Sequence, residues 1–179
     1  MLSDAPLNPT QLAGIMAFGM AGLAAVYASR STRSANQPET RQWCWVAIFQ
    51  ILFCIEIWLG TRHAAHDIAN DWLRALGIYQ DRATLQKWLL ATIVLSGAFA
   101  GFAWWRSPGR IRQKFTLVKL AVACTAAVVL LFLIETVSLH AMDRVLYHQT
   151  GPVLLIAYAW MASAAAVTGL AWRSAASGK

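Results

Sequence analysis

The chain has 179 residues, 58% of them hydrophobic and only 13% charged, and its apolar residues come in long blocks. Blocks of that length exclude an ordinary soluble domain and leave room for four or five membrane spans of about 20 residues in a single domain covering 1–179. The net charge of +7 reads as lysine and arginine that hold loops at the cytoplasmic face, so nucleic acid is not expected as a partner.

The segment before the first apolar run, Met1 to Thr10, carries no positive charge. It does not look like a cleaved signal, and the first run, about 11–29, is expected to be retained as a span. Gly14, Ala17, Ala21 and Ala25 recur there at helical spacing, and such a face lets another helix approach closely in lipid. A polar loop with Arg30, Arg33, Pro38 and Arg41 follows. The second span, about 43–63, opens with Trp43 and Trp45, rings suited to the headgroup level, and is apolar except for Gln50 and Glu56. Its helix is expected to run on past the membrane through His66. Ile68, Trp72, Leu73 and Leu76 then share one side of a short amphipathic helix lying on the outer surface, with Gly77 as its C-cap and Asp81 as the next N-cap.

The third span, about 85–105, contains Gly97 and Gly101 in a close-packing GxxxG arrangement and ends in a basic loop with Arg106, Arg110, Arg112, Lys114 and Lys119. The fourth, about 115–140, continues past Glu135 to His140, and the fifth, about 152–172, starts at Pro152, well suited to a first helical position. The fold expected is an all-α integral membrane bundle of five transmembrane helices. Four spans with the first run peripheral is the alternative. The three cysteines, Cys44, Cys54 and Cys124, form no CxxC pair and read as small residues packed between helices.

Five spans place the loops after spans one and three and the C-terminal tail on one side, and that side carries most of the arginine and lysine. The positive-inside rule then sets the N-terminus in the periplasm and the C-terminus in the cytoplasm of a bacterial inner membrane. The far ends of spans two and four both face outward, and all four histidines lie there. Each end has a deep glutamate, Glu56 or Glu135, and shallower groups: His63, His66 and Asp67 on one, His140, Asp143, Tyr147 and His148 on the other. On a continuous helix, Glu56, His63 and Asp67 fall within about 40° of one another.

A carboxylate in the apolar part of a span costs at least ~2 kcal/mol, so it faces the bundle interior and has a partner or a function. Histidines and carboxylates at this spacing suit a transition metal, with His63, His66, Asp67, His140, Asp143 and His148 as donors. His63 and His140, one from each end at similar depth, are alternatively the axial pair of a haem b. Glu56 and Glu135 are the candidates for proton transfer in redox or proton-coupled chemistry. The competing reading is a non-catalytic subunit of a larger membrane complex, or a homo-oligomer, docking through its small-residue faces. The polar cluster is then an ion-pair network that satisfies itself. No P-loop, GxGxxG or nucleophile elbow is present.

Two segments, Gly77 to Gln86 in a GxYxxRxxxQ pattern and Ser138 to Asp143 in an SxHxxD pattern, resemble small multi-pass bacterial membrane proteins. The resemblance implies no particular activity. It groups Tyr79, Arg82, Gln86, His140 and Asp143 in one outward-facing cap.

Overall fold

The computed structural model describes residues 8–32, 37–77, 80, 82–106, 117–137 and 146–177; within these, the side chains of 37, 62–66, 69–70, 82–83, 100–101 and 103–106 lie outside the description. The described chain is almost entirely helical: α1 (Pro9–Ser31), α2 (Gln37–Leu59), α3 (Thr61–Ala75), α4 (Arg82–Arg106), α5 (Leu117–Val137) and α6 (Leu155–Ser177). A two-stranded antiparallel hairpin, β1 (Gln149–Thr150) and β2 (Val153–Leu154), leads into α6. Among the described residues, α1, α2 from Pro38, α5 and α6 are the four helices long and apolar enough to cross a membrane.

These four share a packing rule. In α5 the buried positions before the last turn's Val137 are Val118, Ala121, Thr125, Val128, Phe132 and Glu135, spaced alternately three and four residues apart. The same alternation gives Ala157, Trp160, Ala164, Val167, Ala171 and Ser174 in α6 and Gly14, Phe18, Ala21, Ala25 and Ala28 in α1. A three-four repeat keeps one seam facing the neighbours along the whole length of a left-handed bundle. Lipid-facing positions between the seams are free to be equally apolar, which is why none of these helices is amphipathic.

The small residues of α1 are consumed within the chain. A Cβ at Gly14 would come within 2.7 Å of Ile57 Cδ1 and 3.0 Å of Trp160 Cε3, and one at Gly22 would meet Gln50 and Ile51. The first helix is therefore central, and the peripheral alternative for it does not hold. Above that contact the four helices each supply one ring to a continuous aromatic layer. Phe18 meets Phe53 with centroids 5.2 Å apart, Phe53 stacks on Phe132 at 5.3 Å, and Phe132 stacks on Trp160 at 5.8 Å. Trp43, expected at the headgroups, is instead fully buried, its Nε1–H donating to Ser174 Oγ at 3.2 Å. Its neighbour Trp45 is exposed and suits that level.

Tertiary bonds fix the direction of each helix. Leu154 N–H donates to Thr10 Oγ1 at 3.1 Å, joining the start of α6 to the start of α1, and Ile57 near the end of α2 lies against Gly14 at the same level. Trp43 and Ser174 join the start of α2 to the end of α6. Hence α1 and α6 run parallel to each other and antiparallel to α2 and α5. One end of the bundle receives the starts of α1 and α6 with the ends of α2 and α5; Arg30, Arg41, Lys119 and Arg173, at the opposite ends of the same helices, make the other end basic.

Three local expectations are corrected. Gly60 adopts φ 63° and ψ 33°, left-handed values that glycine takes at little cost, and this ends α2 before α3 begins at Thr61. The helix does not run on continuously to His66. Pro152 sits in the turn of the hairpin beside Gly151 (φ 71°), and α6 starts at Leu155. Cys44 is exposed, while Cys54 and Cys124 are partly buried as expected. Gly77, by contrast, follows the last turn of α3 with φ 72°, as its C-cap role requires. Asp81 lies outside the described residues.

Candidate functional site

The polar end of the bundle is built on Glu135. The buried seam of α5 advances from Val128 to Phe132 to Glu135, so the carboxyl occupies a core position by the same spacing that buries the apolar residues before it. It is 5% exposed. Tyr147 donates its hydroxyl to Glu135 Oε1 at 2.6 Å, a short bond of the kind a buried carboxyl needs if desolvation is not to expel it. The chain reaches this partner by turning back after α5. Tyr147 immediately precedes His148, whose carbonyl accepts from Leu155 N–H at 3.0 Å and so ties the return to α6.

Glu56 is held differently. It stands one turn before the end of α2, half-buried, and accepts the hydroxyl of Thr61, the first residue of α3. Its backbone carbonyl accepts from Gly60 N–H at 2.7 Å. Glu56 thus braces the α2–α3 corner. Because Gly60 breaks the helix, the single stripe expected to join Glu56, His63 and Asp67 does not form on one continuous helix axis.

The α3 helix carries the remaining expected donors of that end. It packs against the end of α2 and against α5, so the element bearing His63, His66 and Asp67 is brought to the helix that bears Glu135. Asp67 is exposed, and Asp71 bonds Arg74 at 3.2 Å on the same outer surface. Ile68, Trp72 and Leu76 are all exposed; with the charged groups opposite, they give α3 the two-sided character of a helix lying at the headgroup level. The side chains of His63 and His66 lie outside the described residues, as do His140 and Asp143 altogether. His148 is described, and its side chain is exposed.

Among the described residues no three His, Cys, Asp or Glu side chains converge as a metal-binding group. Of the eight residues expected at the site, the description thus covers the side chains of Glu56, Asp67, Glu135 and His148, and Glu135 alone is deeply buried. Tyr147 as partner to Glu135 was not anticipated, although a signal for it exists. A carboxyl buried in an apolar seam demands a donor, and Tyr147 is a donor-bearing residue of the segment that folds back over it. Of the cap suggested by the GxYxxRxxxQ pattern, Gln86 is half-buried on α4, and Tyr79 and the Arg82 side chain lie outside the described residues.

Comparison with protein families, curated proteins and solved structures finds no match to this chain. The functional reading rests on its own chemistry.

Proposed function

We propose that the chain is a five-span protein of the bacterial inner membrane, N-terminus periplasmic, whose outer polar end binds a transition metal and supports redox or proton-coupled chemistry. The observation that carries this reading is Glu135: a carboxyl at a core position of a membrane-length helix, bonded to Tyr147, on the helix against which α3 packs. Holding a carboxyl there costs free energy that packing alone does not repay, which is the usual mark of a functional group inside a membrane protein.

The fifth span is α4. The end of α2 and the start of α5 lie at opposite ends of the bundle, and the chain between them has to return across it. The 25 residues of α4 give about 37 Å of helix, enough for a bilayer core of about 30 Å. Its exposed Leu85, Trp88, Leu89, Leu95 and Phe99 suit lipid, and Gly97 gives it a close approach to Leu130 of α5.

The donors proposed are His63, His66 and Asp67 from α3 with His140, Asp143 and His148 from the segments after α5, a set that suits zinc, copper, iron or manganese. A bound metal would supply Lewis acidity or an electron couple. The chain's own part is proton handling, with Glu135 and the Tyr147 hydroxyl sharing a proton beneath the site and Glu56 bracing the corner from which α3 departs. A haem b on His63 and His140 is the weaker form of the reading, because Phe18, Phe53, Phe132 and Trp160 already fill the interior below Glu135.

A second reading, a non-catalytic subunit of a membrane complex, is favoured by α6. Ala162, Ala166 and Gly169 are exposed on that helix, and a Cβ at Gly169 would meet nothing within 4 Å. Metal analysis and a visible spectrum of protein purified in mild detergent separate the two. The metal reading expects stoichiometric metal, lost in His140→Ala. Absence of metal and of a haem band, together with unchanged stability of His140→Ala, would overturn it, and stoichiometric co-purifying partners would favour the subunit.

A further inference from the structure

At the basic end of the bundle a groove of about 240 Å³ opens between α2 and α5, walled by Trp45, Val46 and Phe49 on one side and Val122, Ala126 and Val129 on the other. Its floor includes Thr125, whose hydroxyl donates to Ala121 O at 2.9 Å and accepts from Gln50 Nε2 at 3.2 Å. The polar atom is spent inward, and the groove surface is apolar throughout. At this volume it falls below the usual range for small-molecule pockets, about 300–1,000 Å³, and suits a length of hydrocarbon chain lying along the helices.

Both walls are headed by a cation at the same end. Arg41 stands one turn before Trp45 on α2 and is exposed; Lys119 stands one turn before Val122 on α5 and is half-buried. The Gln50–Thr125 bond sets the register of these parallel helices. Arg41 then lies about 13 Å and Lys119 about 9 Å from that level, both toward the basic end and within a turn of each other in height. Trp45 sits at the groove's upper edge with its ring exposed, at the depth where an indole meets the headgroups. Apolar walls below, a ring at the interface and two cations above match the parts of one molecule.

We propose that the α2/α5 groove is a binding site for an anionic phospholipid, one acyl chain between the helices and the phosphate between Arg41 and Lys119. The site is independent of the polar end, and neither reading depends on the other. Attraction of about 1 kcal/mol for each basic side chain near an anionic headgroup sets the selectivity expected, roughly thirtyfold for the pair.

Native mass spectrometry of the purified chain with added phosphatidylglycerol or phosphatidylcholine of identical acyl chains tests it. One phosphatidylglycerol is expected to be retained per chain, in roughly thirtyfold preference to phosphatidylcholine. Arg41→Gln with Lys119→Gln is expected to remove the preference, and Ala126→Phe, which fills the groove, to remove retention of both lipids. Val122→Phe serves as a second filling variant should Ala126→Phe lose its helical circular dichroism. Equal retention of the two lipids by the unmodified chain would overturn the proposal. So would a preference that survives the double charge variant, undiminished retention in a folded filling variant, or a dimer that forms without lipid and is abolished by filling the groove.

Discussion

The ends of α2 and α5 look alike in the sequence and are built differently. Each closes an apolar run with a glutamate followed by histidines and aspartate. At the α2 end Gly60 turns the chain, and Glu56 stays half-buried, engaged by the Thr61 hydroxyl five residues on. At the α5 end the glutamate continues the core seam, is 5% exposed, and takes its hydrogen bond from a tyrosine twelve residues away that the chain has to fold back to deliver. One glutamate finishes a helix locally. The other is held by tertiary structure, and only the second bears the cost of burial that points to function.

The contrast has measurable consequences, largest first. Glu135→Ala leaves a cavity and removes the carboxylate that accepts from the Tyr147 hydroxyl, and is expected to lower stability in detergent by about 2–4 kcal/mol. Chemical unfolding followed by circular dichroism measures this, and a loss as small as that of Glu56→Ala would erase the distinction between the two ends. Tyr147→Phe keeps the ring and removes the donor, at an expected cost of about 1–2 kcal/mol by the same assay. If Tyr147→Phe is neutral while Glu135→Ala is not, the carboxyl has another principal partner. Gly60→Ala forces a side chain into a left-handed conformation and is expected to cost about 1 kcal/mol, acting on the α2–α3 corner alone. Glu56→Ala is expected to cost under about 1 kcal/mol, as an exposed local contact does.

Much of the architecture was legible in the sequence because membrane helices announce themselves by length and apolarity. Among the described residues four of the expected spans coincide with helices long and apolar enough to cross a membrane, the segment expected as the third is the helix α4, and the amphipathic segment after the second coincides with α3, followed by Gly77. What escaped were features decided by neighbours. Whether Trp43 faces headgroups or Ser174 depends on where α6 ends, and nothing local distinguishes it from Trp45. Gly60 was readable as a helix residue because its left-handed conformation follows from the corner it makes, not from its flanks. Pro152 was consistent with a helix start or with a turn, and the pairing of β1 with β2 decided for the turn.

For the site, the depth of Glu135 was readable from the three-four repeat of α5, since Val118, Ala121, Thr125, Val128 and Phe132 lead directly to it. Of its partner, only the need for some donor was readable, because Tyr147 reaches it through a reversal of the chain. The same holds for the small-residue face of α1. It was correctly expected to permit close packing, and the helices that use it are α2 and α6 of the same chain.

If the polar end is one site, the two polar stretches, one following α2 and one following α5, meet at one end of the bundle. Pulsed electron resonance between spin labels at positions 63 and 140, with Cys44, Cys54 and Cys124 replaced, measures it directly. A principal separation under about 20 Å, no more than two helix diameters, is expected. A principal separation near about 30 Å, the thickness of the bilayer core, would contradict it.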